Sequence, residues 1–477
     1  MPRLLRLAAA AASTFGAPAF AQTPAAPAAA SPGVVWTADS LRGLLAARVR
    51  LGRNPGIVAA VITPQGTVSA VAGIAGSPDG APLTGRTMFE IGSITKAVTG
   101  TLFADAIARG EVRADERLID VLPDLPLPDS ARGITLLDLA THRSGLAGFP
   151  AGHEPTNMAE PWAGVTKEVV YASLRRPGAL RFAPGSRAEY SNVGAGLLGQ
   201  ALVSRAKLAN GASRDYATLV RERIAGPLGL RDFVMTLSAA QERRFAQPYA
   251  QGEPTAHWSL DYLAAAGAIR APLDDMTRFA RACLGDAPAG LAAAITDAQR
   301  PRRAFTRDSI GLHWVTTRGP AGPIAWHNGG TGGFRTWLGC NRVTGRAAVV
   351  MTNGDAGADD IGFHLVDAGL PLKAPSPLPR AAVTVDTATM NGLLGTYRLA
   401  PTFALTVTRE GTRLYVQATG QPKLECVPAT TTRWLLKAVD AALEFERDGN
   451  AAATAVVLVQ GGGRQRAARE TAPPPSP

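Results

Sequence analysis

The spacing of apolar positions changes along the chain, and each change predicts a different kind of structure. Leu41–Val49 reads as a helix, Ile57–Ile62 as a strand, Pro64-Gln65-Gly66 as a turn and Thr67–Val71 as the returning strand. From Ser93 to Ala108 the pattern is helical, with Val98, Leu102, Phe103, Ala106 and Ile107 forming one apolar face and Gly110 stopping it. A second amphipathic segment, Leu136–Thr141, is preceded by Thr135, with Asp138 three residues on in a capping-box arrangement. Strands return at Phe334–Cys340 and Ala347–Thr352, around a turn at Asn341–Arg346. Strands at both ends with helices between predict an α+β domain whose sheet is built from distant segments.

Pro371–Arg380 holds four prolines in ten residues and reads as a stiff linker. Beyond it the apolar period becomes two. Leu405 and Val407 precede the turn Glu410-Gly411, with Leu414 and Val416 after it; Leu443 and Phe445 precede Asp448-Gly449, with Val456 and Leu458 after it. Such hairpins predict a small antiparallel β-barrel or sandwich. The expected organisation is a signal peptide (1–21), an Ala/Pro-rich linker (22–36), a main domain (37–370), the Pro-rich linker (371–380), a β domain (381–466) and a disordered tail (467–477).

The signal peptide is read from Arg3 and Arg6, the apolar stretch from Leu4 to about Ala12, and Ala19-Phe20-Ala21 before Gln22. A charged start, a short apolar run and a small-residue site predict cleavage after Ala21 and a periplasmic or secreted product. The run is far short of the ~20 residues a spanning helix needs, and no other stretch reads as a transmembrane segment. The 477 residues include 46% hydrophobic and 18% charged residues, enough to bury ordinary cores. The net charge of +11 is dispersed, and its densest cluster, Arg300, Arg302, Arg303 and Arg307, lacks interleaved aromatics. No nucleic-acid partner is therefore expected. Three cysteines without CxxC spacing, and no His-Glu-x-x-His, predict no metal and no cofactor.

Among six lysines, Lys96 falls one helical turn after Ser93 in Ser93-Ile94-Thr95-Lys96. A serine hydroxyl becomes a useful nucleophile when a neighbouring base takes its proton. Serine is equally a preferred helix cap, but a lysine in a first turn opposes the helix dipole and invites another reason for its place. Buried beside Ser93, it would be a lowered-pKa base. Tyr190-Ser191-Asn192 follows a turn at Ala183-Pro184-Gly185; on extended backbone Tyr190 and Asn192 share a side, offering a proton relay and an amide. Trp326-His327-Asn328-Gly329-Gly330-Thr331-Gly332-Gly333-Phe334 is a glycine-rich approach to a strand, where backbone can lie against a substrate. His142, His313, His327 and His364 each also fit as packed core histidines. No Gly-x-Ser-x-Gly occurs, which argues against an α/β-hydrolase.

Taken in order, Ser-x-x-Lys, Tyr-Ser-Asn and His-x-Gly resemble the serine beta-lactamase and penicillin-binding protein superfamily, specifically its class C-like branch. Ile134-Thr135-Leu136-Leu137-Asp138-Leu139-Ala140-Thr141-His142-Arg143-Ser144-Gly145-Leu146 looks like that branch's LLTHTSGL segment. The resemblance spans about residues 40–370. It implies a beta-lactamase/transpeptidase-like fold, an antiparallel sheet flanked by helices plus an all-helical region, and a lipocalin-like barrel behind it. It implies Ser93 as the acylated nucleophile, Lys96 as its activator and Tyr190 as the relay. Ser93 and Gly330 would supply the oxyanion N–H groups, and Asn192, His327, Asn328, Gly329 and Thr331 would contact substrate. Class C beta-lactamases have Lys-Thr-Gly where this chain has His327-Asn328-Gly329. Histidine is mostly neutral at pH 7, so a charge-assisted bond to a substrate carboxylate, worth ~1.5–3 kcal/mol, is missing. This argues against efficient beta-lactam hydrolysis. With the expected export, the resemblance implies D-amino-acid peptides of peptidoglycan as substrates, with an ester or a beta-lactam as same-site alternatives, and a non-hydrolytic penicillin-binding protein as a further one.

Overall fold

The computed structural model describes residues 34–470 apart from 78–79, 208–214, 374–376, 402, 420, 422, 440, 450 and 461–462. The expected signal peptide, most of the Ala/Pro-rich segment and residues 471–477 lie outside the described residues. An eight-stranded antiparallel sheet organises the main domain. Its order is Gly66–Gly73, Gly56–Thr63, Arg346–Thr352, Arg335–Asn341, Gly322–Gly330, Val315–Gly319, Asp308–Ile310 and Arg303–Phe305. Segments some 290 residues apart in sequence pair directly, as at Ile57 opposite Thr352.

The central strands read as unbroken apolar runs because both of their faces are covered. Val58, Ala60 and Ile62 enter one core together with Val349 and Met351, whereas Ile57, Ala59, Val61 and Val350 enter the other. Helix α1 (Ala38–Arg50) and the helix Asp359–Val366 cover this second face through Leu41, Leu45, Ile361 and Leu365. On the first face lies helix α2 (Ile94–Ala108).

The one-faced pattern predicted for α2 is corrected by the structure. Every residue from Ile94 to Ala106 is buried, because sheet and helices enclose it all round. Its polar residues are satisfied inside: Thr99 Oγ1 bonds Tyr216 Oη at 2.6 Å and donates to Ala265 O at 2.8 Å. Asp105 takes Arg109 Nε at 2.7 Å and Arg223 Nη1 at 3.2 Å. Gly100 is required by close approach, since a Cβ there would lie 1.8 Å from Leu312 O. Gly100→Ala is expected to cost about 3 kcal/mol or more through overpacking, read as a lowered midpoint in urea unfolding.

The second core is a closed barrel of eight antiparallel strands running from Gly395 to Arg469. Leu405, Val407, Leu414, Val416, Leu443, Phe445, Val456 and Leu458, the residues that alternate in the sequence, all point into it. The tail expected from 467 onward is corrected at its start, since residues 467–469 belong to the last strand. Ala467 is fully buried and pairs with Val456, and Arg469 pairs with Tyr397, because the last strand must return to the first to close the barrel. The barrel meets the main domain at the tight turn around Gln251. Glu425 N–H donates to Gln251 Oε1 at 3.2 Å, and Arg53 Nη1 donates to Lys437 O at 3.1 Å. Among the described residues no helix is long and apolar enough to cross a membrane, and Cys283, Cys340 and Cys426 are free and buried.

Candidate active site

Ser93 stands at the start of α2, and its side chain makes no capping bond there. The backbone turns into it through Gly92, whose φ is +51° and whose missing Cβ would lie 2.8 Å from Gly330 N. Only glycine accommodates both the conformation and the contact. Gly92 therefore lets the Ser93 turn and the end of the Gly322–Gly330 strand come together.

Lys96 is fully buried, and this burial pushes its ammonium pKa well below the ordinary lysine value. Its Nζ lies 2.7 Å from Asn192 Oδ1, 2.5 Å from Ala266 O and 3.0 Å from Ser93 Oγ. The first two atoms are acceptors only, so they take both N–H bonds of a neutral amine. An amine that has given up its extra proton, with those two bonds made, would turn its lone pair to the Ser93 hydroxyl, which is the arrangement a base needs. The helix-cap reading of Ser93 does not describe this geometry.

Tyr190 and Asn192 converge on the same amine from the tripeptide the sequence singled out. The Tyr190 ring centroid is 4.7 Å from Lys96 Nζ. Ser191 is extended and caps the helix Asn192–Arg205, its Oγ accepting from Gly194 N at 2.9 Å. The LLTHTSGL-like segment explains itself here. Thr135 and Asp138 form the expected capping box on the helix Leu136–Ala140, which ends in His142 with φ +56°. His142 Nδ1 accepts from Ser191 N at 3.2 Å, and its ring lies 4.4 Å from that of Tyr190. This segment is thus a support for Tyr190-Ser191-Asn192.

The cleft at Ser93 is lined by Gly92, Trp162, Asn192, Trp258, Leu260, Ala266, Gly267, Gly330 and Thr331. Gly330 and Thr331, which the resemblance implies as site residues, lie in this lining beside the serine. His327, Asn328 and Gly329 stand outside that lining. His327 is fully buried near Tyr190, with Nδ1 2.6 Å from Asn328 O. Burial and the nearby Lys96 push its pKa down to about 3, so it is a neutral group. A Cβ on Gly329 would lie 2.0 Å from Ile91 O, so its lack of a side chain serves packing. Asn328 Nδ2 donates to Asp359 Oδ2 at 2.8 Å.

Burial pushes the Asp359 carboxyl up to about 6. Between about pH 4, where an unfolded aspartate ionises, and pH 6 the folded chain keeps a proton that the unfolded chain has lost, so stability falls as pH rises. Asp359→Asn retains an acceptor for Asn328 and removes this slope. The variant's melting temperature is expected to gain on wild type between pH 4 and pH 7, checked by thermal melts across that range.

Several lining residues carry no sequence signal. Ala266 contributes a backbone carbonyl, which no side-chain pattern marks. Trp162 and Trp258 are isolated aromatics; Trp258 is set by Nε1 donating to Ala159 O at 2.8 Å and by its N–H donating to Glu90 Oε1 at 2.9 Å. A neighbouring cavity of about 820 Å³ shares Trp258 and Leu260 with the cleft and adds Met235, Leu237, Phe245 and Tyr262.

Residues 41–367 match the family model described as Beta-lactamase. Penicillin-binding protein 4* of Bacillus subtilis (strain 168) is 25% identical over 414 residues, covering 81% of this chain and 89% of that protein. The D-alanyl-D-alanine-carboxypeptidase/endopeptidase AmpH of Escherichia coli (strain K12) is 29% identical over 266 residues, 52% of this chain and 66% of AmpH. Among solved structures, a beta-lactamase/D-alanine carboxypeptidase from Pseudomonas syringae superposes with a TM-score of 0.60 at 20% identity, over 70% of this chain and 99% of that one. This last likeness is one of fold.

Proposed function

The chain belongs to the beta-lactamase family of serine hydrolases, and we propose that it acts through an acyl-enzyme on Ser93, with D-amino-acid peptides of peptidoglycan as its substrates. The observation that carries this reading is a fully buried Lys96, its pKa lowered by that burial, with Nζ 3.0 Å from Ser93 Oγ. Ser93 Oγ attacks the substrate carbonyl carbon while its proton passes to Lys96 Nζ. The carbonyl oxygen becomes an oxyanion held by the N–H groups of Ser93 and Gly330. As the tetrahedral adduct collapses, the proton passes by way of Tyr190 to the leaving amine, and the C–N bond breaks. Water then adds to the acyl-enzyme, giving its proton to the same base, and Ser93 Oγ leaves with a proton returned.

Support for peptides over beta-lactams comes from relatives named carboxypeptidase/endopeptidase and penicillin-binding protein. The N-terminal pattern of Arg3, Arg6 and Ala19-Phe20-Ala21 supports export to the compartment that holds such peptides. An ester substrate is the competing reading, because a neutral site suits a neutral leaving group. Parallel turnover of nitrocefin, p-nitrophenyl acetate and a D-Ala-D-Ala peptide tests the choice. The peptide is expected to give the highest kcat/KM; comparable rates for all three remove the substrate preference, and no turnover of any removes the hydrolase mechanism.

A further inference from the structure

Cys283 and Cys340 lie 57 residues apart in sequence and meet in the core of the main domain. Cys283 ends the helix Leu273–Cys283, and Cys340 lies inside the strand Arg335–Asn341, opposite Ala325 and Ala347. Cys340 Sγ donates to Cys283 O at 3.5 Å, so the sulfur of the strand is aimed at the last residue of the helix. Cys426 sits in the separate core of the barrel.

The surroundings of Cys340 suit a thiolate. Gln299 Nε2 donates to Cys340 Sγ at 3.4 Å, and Arg342 Nε donates to Gln299 Oε1 at 2.8 Å, so a guanidinium orients the amide that faces the sulfur. The hydrogen bond from the Cys283 S–H holds the Cys340 thiol below its ordinary pKa against the opposing effect of burial, and Arg342 and Gln299 act the same way. Burial pushes the Cys283 thiol well above the ordinary value. Access is as unequal as charge. A cavity of about 750 Å³ is walled by Cys340, Gln299, Arg300 and Arg342, among others, and Cys283 stands outside that wall. An oxidant small enough to enter therefore meets Cys340 first, with a second thiol behind it. A reactive thiol backed by a second one is the arrangement that stops oxidation at a disulfide.

We propose that Cys340 and Cys283 are a redox pair, Cys340 attacking a peroxide and Cys283 resolving the product into a disulfide that staples the helix Leu273–Cys283 to the sheet. The Cys340 sulfur attacks one oxygen of hydrogen peroxide and the O–O bond breaks. Sulfur is oxidised to a sulfenic acid, and the departing hydroxide takes the thiol proton to become water. The Cys283 sulfur then attacks Cys340 Sγ, the S–S bond forms, and the S–O bond breaks. Hydroxide leaves with the Cys283 proton as a second water. The stapled helix follows the strand Arg270–Pro272, which pairs with Met88–Glu90 just ahead of the Ser93 turn, so the cross-link braces the floor of the cleft. The pair is independent of the acyl-transfer reading and stands whether or not Ser93 is acylated.

The test uses the full-length chain, reduced, desalted and treated with a small molar excess of hydrogen peroxide, then denatured and alkylated with N-ethylmaleimide for mass spectrometry. The reduced chain is expected to take up three maleimides and the oxidised chain one, on Cys426, with reductant restoring all three. Peptide mapping should find Cys283 joined to Cys340. In Cys283→Ser the oxidation stops at a sulfenic acid on Cys340, which dimedone labels; in Cys340→Ser, Cys283 stays unlabelled at the same dose. Thermal melts verify that both variants are folded, and the wild-type count needs neither of them. The oxidised wild type is expected to melt about 3–8 °C above the reduced chain, because the cross-link constrains the unfolded state. Three maleimides after peroxide, pairing between chains on a non-reducing gel, or equal dimedone labelling of the two variants overturns the redox pair. An unchanged or lowered melting temperature in the cross-linked chain overturns the staple.

Discussion

Ser93→Ala is expected to lower kcat/KM by about 10⁴–10⁶-fold, with p-nitrophenyl acetate and nitrocefin alike, because it removes the hydroxyl proposed to form the acyl bond. The fold is expected to be kept. Ser93 makes no capping bond to α2, and Lys96 retains Asn192 Oδ1 and Ala266 O as partners. The melting temperature should therefore stay within a few degrees of wild type, which separates a chemical loss from an unfolded protein. A fluorescent penicillin should label the wild-type chain and leave the variant unlabelled. Turnover above about 1% of wild type in a folded variant would place the nucleophile elsewhere.

Lys96→Met is expected to lower kcat/KM by about 10²–10⁴-fold, the range of a lost general base. Lys96→Arg is expected to fall as far, since guanidinium keeps its proton at every accessible pH and offers no lone pair. A role for Lys96 as a simple positive charge predicts the opposite, substantial rescue by arginine. The pH profile adds a second reading. The base must be neutral, so wild-type kcat/KM rises with pH through the lowered pKa of Lys96; His327, near 3, adds no limb above pH 5. Stability follows the same proton. Between the lowered pKa and the unfolded value near 10.4, the unfolded chain holds a proton that the folded chain has released. Folding stability therefore rises with pH across that window, and Lys96→Met removes this contribution. Urea unfolding at pH 6, 8 and 9.5 measures the slope.

Local signals in the sequence carried well where they act locally. The Thr135/Asp138 box caps its helix, the alternating residues from Leu405 to Leu458 fill a barrel, and Ser93, Lys96, Tyr190 and Asn192 meet at one amine. They failed where an element's surroundings decide. Helix α2 has apolar residues on one side by spacing, yet the sheet and its neighbours bury every side of it from Ile94 to Ala106. Ala467 has no strand signal of its own, and the need to close a barrel places it in one.

The sequence by itself determined the order of the chemical groups, the α+β domain followed by a barrel, and the fact that Ser93 has a lysine within one helical turn. These follow from short-range periodicity and residue type, which a linear chain records directly. Tertiary structure alone decided what those groups are. Burial lowers the Lys96 pKa and makes His327 a neutral group, and the long-range pairing of Gly330 with Arg335 sets a cation behind the cleft. A pKa depends on desolvation and on neighbours far apart in sequence, so the charge state of this site is fixed only once the chain has folded around it.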